Sequence, residues 1–129
     1  MKQKRIRVLK VEPGKEPTLA MLDNNLDDLQ KAVSIGAPSQ GLIEIITLEE
    51  DVCILCNEEG KLIGLEPNRR LGKDILVGVF YVTGQDNCGN LTTLSEAKMQ
   101  KYAKLFEEPC NDITDEDIMK TLVMRFYGM

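Results

Sequence analysis

Apolar and charged residues alternate at the start of the chain. Ile6, Val8 and Lys10 fall on one side of an extended backbone, and Arg7, Leu9 and Val11 fall on the other. That period predicts a strand, and "EPGKEP" ends it with two prolines and a glycine in a tight reversal. "TLAML" returns as the second strand of an N-terminal hairpin. The period then changes: Leu26, Leu29 and Val33 recur at i, i+3 and i+7, the mark of a helix with one apolar face. Asn24 or Asn25 can cap it, and Asp27 and Asp28 sit in its first turn, where the exposed N–H groups favour anions. "IGAPSQG" stops it.

Two dense β-branched runs follow, "LIEIITL" and "VCILC", each predicted as a buried central strand, joined by the acidic turn "EED". "NEEGKL" reads as a further turn. "DILVGVFYVTG" is the longest strand candidate, and Gly78 at its middle signals a bulge or a close backbone approach. After the loop "QDNCGN", Thr93 opens a capping box with Glu96, and Met99, Tyr102, Ala103 and Phe106 repeat at helical spacing until Pro109. A last helix starts at Thr114 with Asp115, Glu116 and Asp117 in its first turn. Its apolar stripe is Met119, Leu122, Val123 and Phe126, and Arg125 lies near its end. Without a regular strand–helix–strand repeat, this order predicts an α+β fold with a mainly antiparallel sheet of about five strands. Residues 1–110 are expected to form a single domain, with 111–129 a helix packed on it or on a neighbouring subunit.

Composition narrows the chemistry. At 129 residues the chain buries enough surface to fold without a disulfide or metal. Its apolar runs are too short to cross a bilayer, and the basic N-terminus leads into no long apolar stretch. A cytoplasmic location, with no membrane partner, is expected. Cys53, Cys56, Cys88 and Cys110 should then be reduced. Cys53 and Cys56 have a CxxC spacing, but on a strand that spacing sends the two sulfurs to opposite faces, which suits inert thiols better than a metal or redox pair. The chain has no histidine, so Ser–His and Cys–His arrangements and the commonest metal ligand are excluded. No Walker-type, GxSxG or GxGxxG string occurs. Neither enzymatic activity nor a cofactor is expected.

Charge returns interest to one stretch. The net charge is −5, yet residues 61–73 hold four cations against one anion, directly after a segment, 21–60, with nine anions and one cation. An acidic chain is a poor partner for a long nucleic-acid backbone. A small anion in a local basic pocket remains open. In "CNEEGKLIGLEPNRRLG", Gly60 and Gly64 free the backbone, and Asn68, Arg69 and Arg70 read as a short turn flanked by Lys61 and Lys73. Guanidinium forks suit phosphate or carboxylate, and an asparagine amide suits a base edge or a ribose. The competing reading is a solvated hairpin whose Arg69 and Arg70 pair with Glu58, Glu59 or Glu66.

"IRVLKVEPGKEP", "CNEEGKLIGLEPNRRL" and "DILVGVFYVTG" resemble, in that order, a family known as domain of unknown function 3846, over residues 5 to about 106. The resemblance implies a small accessory protein of phages, plasmids and conjugative elements of Gram-positive bacteria. It carries over Asn57, Glu58, Gly60, Lys61, Asn68 and Arg69 as residues of interest. With Arg70 these form the expected ligand-binding set. Two functions of different class follow. The first is a homo-oligomeric module that binds a small anionic, nucleotide-type ligand without catalysis and sequesters a host-defence signal. The second is an inhibitor that binds a host defence or restriction enzyme as a weak DNA mimic, motivated by the acidic segment 21–60 and by "EEPCNDITDED".

Overall fold

In the computed structural model, which describes residues 3–127, the alternating first segment forms β1 (Arg5–Val11), antiparallel to β2 (Thr18–Asp23). Both faces of β1 are used. Ile6 and Val8 pack with Leu29 and Val33 of α1 (Leu26–Val33), while Leu9 and Val11 face Met99, Tyr102 and Phe106 at α2 (Glu96–Leu105). The sheet is therefore a middle layer with a helix on each side. Asn25 caps α1, its Oδ1 accepting from Asp28 N at 2.9 Å. Asn24 instead turns inward and donates to the Gln3 and Leu91 carbonyls. Of the predicted α1 stripe, Leu29 and Val33 are buried and Leu26 is exposed.

The fold is α+β. β3 (Ile43–Glu49), β4 (Val52–Asn57) and β7 (Phe80–Gln85) complete a main sheet of order β2-β1-β7-β4-β3, all antiparallel. The short β8 (Leu91–Thr92) pairs with β7 beyond the point where β1 leaves it. Thr93 is spent there: its Oγ1 accepts from Arg7 N at 3.1 Å. Ser95, not Thr93, caps α2 by accepting from Lys98 N.

Two further expectations are corrected. β4 is central, with all six residues buried, but β3 lies at the edge, because β4 takes β7 as its second neighbour. Ile45 of β3 is accordingly 55% exposed. The long run 74–84 is two strands, β6 (Asp74–Val77) and β7, in different sheets. Gly78 divides them at φ +69°, where an added Cβ would meet Leu65 Cδ1 at 2.8 Å. Close approach was legible; the change of sheet was not.

β6 pairs with β5 (Pro67–Leu71) as a separate hairpin. Leu76 of this hairpin joins the core beneath α2, where Phe80 meets Phe106 edge-on with centroids 5.1 Å apart. Ile75 and Val77 pack with Leu65 and receive Ile113 and Ile118 of the C-terminal segment. α3 (Asp115–Tyr127) begins as predicted, Thr114 and Asp117 capping each other reciprocally. It packs through Ile118 and buried Thr121, whereas Met119 of the expected stripe is 58% exposed. The side chain of Phe126 lies outside the described residues. Among the described residues no helix is long and apolar enough to cross a membrane.

Candidate functional site

The stretch 57–73 does not form one turn. Its second half is β5, and a bulge there decides where Arg69 and Arg70 go. Pro67 pairs with Val77 and Arg69 with Leu76, so Asn68 is the extra residue. A bulge breaks the alternation of faces, and both Asn68 and Arg69 are buried. Asn68 Nδ2 donates to the Val11 and Gly78 carbonyls at 2.9 and 2.7 Å. Its Oδ1 accepts from Arg69 Nη1 at 2.7 Å.

Arg69 is only 2% exposed, and every acceptor it has among the described residues is a neutral oxygen. Nε donates to the Phe106 carbonyl at 3.0 Å, Nη1 also to the Asn68 carbonyl, and Nη2 to the Lys15 carbonyl at 2.5 Å. Phe106 caps the C-terminal end of α2, where unpaired carbonyls concentrate negative partial charge. That end supplies the countercharge a carboxylate would otherwise give. Burial lowers the Arg69 pKa, but a guanidinium stays charged. Its role is to tie β5, the β1–β2 loop and α2 together. The pairing with Glu58, Glu59 or Glu66 considered for Arg69 and Arg70 is replaced by other partners: Arg70 Nη2 lies 3.6 and 3.5 Å from Asp112 and Asp117, joining β5 to the start of α3.

The first half of the stretch divides similarly. Asn57 is buried, its Oδ1 accepting from Glu59 N at 2.9 Å. Glu58 is exposed, and its backbone N–H donates to the Leu42 carbonyl. Gly60 is buried against Val77, whose Cγ2 lies 2.8 Å from where a Cβ would stand. Lys61 reaches Asp74, its side chain 11% exposed.

Concavity appears beside these residues rather than around Arg69. Between the β5–β6 hairpin, edge strand β3 and α3 runs a cleft of about 470 Å³. Glu44 enters from β3, Lys61 from the preceding loop, Leu71, Lys73 and Asp74 from the hairpin, and Thr121, Met124 and Arg125 from α3. A smaller hollow of about 180 Å³ continues past Lys61 and Arg125 to Glu58, Glu59 and Leu62. Of the seven expected site residues, the structure brings Lys61 to the main cleft and Glu58 to its extension. Asn57 and Gly60 line only a narrow floor of about 20 Å³ shared with Lys61. Arg125 was legible only as a cation at a helix end, because its partner Glu44 is distant in sequence.

Cys56 lies at that floor, its Sγ 3.8 Å from Glu44 Oε1. Burial, with the Glu44 charge, pushes its thiol up to about 12, so it is protonated and a poor nucleophile. Cys53 belongs to the core on the other face, beside Thr83. The two sulfurs are thus separated by the sheet, as their spacing requires. Glu49 is another strongly perturbed group. It accepts from Lys98 Nζ at 2.6 Å, Lys101 Nζ at 3.0 Å and the Tyr102 hydroxyl. Hydrogen bonds, from Lys98 first and then Tyr102, hold its carboxyl down at about 2. With three donors engaged it pins α2 to the β3–β4 turn and has little capacity left for chemistry.

Fold and cleft define a small α+β domain bearing a mixed-charge hollow on one side of its minor hairpin. The chain belongs to the family described as Domain of unknown function (DUF3846), whose family model matches residues 6–107. The match takes in the main sheet, the bulged hairpin and α2, and stops before α3. Glu44, Lys61, Lys73 and Asp74 therefore lie in the family segment, while Thr121, Met124 and Arg125 lie beyond it. No curated protein and no solved structure matches the chain.

Proposed function

We propose that the protein is a non-enzymatic binding module for a small anionic, nucleotide-type ligand held in the cleft beneath α3. One observation carries this reading: Lys61, Lys73 and Arg125 come from three separate elements to one hollow of about 470 Å³, with Leu71 and Met124 as apolar walls. That volume falls in the usual range for small-molecule sites, which combine apolar walls with a few placed polar groups. Lys73 is exposed and accessible to an arriving anion, and Lys61 is shielded, where charge interactions are stronger. Arg69 has no part in binding on this reading. Sequestration of a signal, in the mobile-element setting that the resemblance implies, needs affinity and no turnover.

Thermal unfolding with a panel of phosphates and mono-, cyclic and polyphosphate nucleotides tests it. A ligand present at about 100 times its Kd stabilises by about 2.7 kcal/mol, which raises Tm by roughly 10 °C for a domain of this size. The shift should vanish in Lys73→Ala while that variant's unliganded Tm stays put. No shift with any member of the panel rejects the proposal.

The alternative, a protein-binding inhibitor, rests on a different surface. Among the described residues edge strand β3 leaves one side unpaired and Ile45 exposed, a setting open to strand addition by a partner. Binding of a stoichiometric protein that survives Lys73→Ala but is lost in Ile45→Lys would favour it.

A further inference from the structure

The cations of the cleft are not equally free. Lys61 Nζ is held on Asp74 Oδ1 at 2.5 Å, and Arg125 Nη2 lies 3.3 Å from Glu44 Oε2. Lys73 is the cleft cation that makes no ion pair among the described residues. The carboxylates are not saturated either. Asp74 Oδ1 also accepts from Ile75 N at 2.7 Å, which leaves its Oδ2 without a partner among the described residues. Among the described residues Glu44 Oε1 has only the weak Cys56 thiol at 3.8 Å. Each carboxylate offers about four lone-pair sites, so both keep acceptor capacity at the cleft wall. The hollow thus pairs one uncompensated ammonium with two acceptors for hydroxyl or amino hydrogens.

Resting on the ligand class assigned above, we propose that the cleft selects a phosphomonoester with neighbouring hydroxyl groups, such as a sugar phosphate or a ribonucleoside monophosphate, over a polyphosphate. A single phosphate, carrying about −1.5 to −2 charge at neutral pH, meets Lys73 and is flanked by Lys61 and Arg125. The sugar hydroxyls donate to Asp74 and Glu44, and charge-assisted bonds of that kind are the stronger ones. A triphosphate gains nothing comparable. Its added anionic oxygens find cations already committed to carboxylates, and the same carboxylates repel them.

Calorimetry on the full chain, at fixed ionic strength and without divalent cations, tests the selection with four probes: adenosine monophosphate, its 2′,3′-dideoxy form, adenosine triphosphate and inorganic phosphate. Adenosine monophosphate is expected to bind at least tenfold tighter than each of the other three. Asp74→Asn keeps an acceptor for Ile75 N, and it should shrink the preference over triphosphate at least threefold. Glu44→Gln should do the same if Asp74→Asn fails to fold. Triphosphate binding as tightly as monophosphate overturns this inference and leaves the binding module standing. An unchanged ratio in both variants overturns it too. No binding by any of the four overturns this inference, and the binding module then stands or falls by the wider nucleotide panel.

Discussion

Arg69 and Lys73 lie four residues apart in the same basic stretch, and they have opposite fates. Arg69 is sealed inside the molecule on backbone and amide oxygens, whereas Lys73 stands exposed at a cleft with no ion pair among the described residues. Charge density does not separate them. What separates them is position: one extra residue in β5 turns Asn68 and Arg69 inward together, whereas Lys73 stands in the turn between β5 and β6. A concentration of arginine in a sequence can therefore mark an internal brace, with the binding surface supplied by sparser lysines beside it.

The sharpest way to break this contrast is to remove the brace. Arg69→Ala leaves the Phe106 and Lys15 carbonyls and Asn68 Oδ1 without their donor. It should cost about 4 kcal/mol in urea unfolding, from unpaired buried acceptors plus the void. Arg69→Lys should recover less than half, since one ammonium cannot fork to α2 and the β1–β2 loop together. A cost below about 1 kcal/mol would place Arg69 with the surface cations. Next in size is Gly78→Ala, which forces a side chain onto φ +69° and into Leu65. About 2–3 kcal/mol is expected from strain and overlap, read in the same assay, and no loss would show that the hairpin junction is pliable.

A smaller effect concerns acid. Glu49 is held at about 2 in the folded chain against an ordinary 4.5, so folding favours its ionised form. Its contribution is complete above about pH 4.5 and is lost as pH falls towards 2. Melting temperature followed from pH 6 to 2 should fall less steeply for Glu49→Gln than for the parent; parallel curves would mean that Lys98, Lys101 and Tyr102 do not hold the carboxylate. Smallest of all is Lys73→Ala, expected within about 0.5 kcal/mol of the parent while losing ligand. A loss comparable with that of Arg69→Ala would erase the distinction between brace and cleft.

The fold was legible where local physics acts alone. Asn25, Thr114 and the prolines of the first reversal fix element ends through side-chain caps and fixed φ, with no help from the rest of the chain. The odd spacing of Cys53 and Cys56 placed their sulfurs on opposite faces for the same reason. β3 was misplaced because its composition matches that of β4; only the partner on the far side, β7, distinguishes centre from edge. "PNRRL" hid as a turn because its inward residues are polar, and their acceptors come from Val11, Lys15 and Phe106. Lys61 was found in the stretch itself. So was Lys73, but Glu44 and Arg125 were not, since they meet only after α3 has packed.

The grip of Arg69 on Phe106 also has a temporal side. These two residues are 37 positions apart, and a ribosome adding about 5–20 residues per second takes roughly 2–7 s to cover that distance. During that interval the nascent hairpin carries a hydrated guanidinium with its final acceptor still unmade. Closure of the domain through this contact is thus a late event in synthesis.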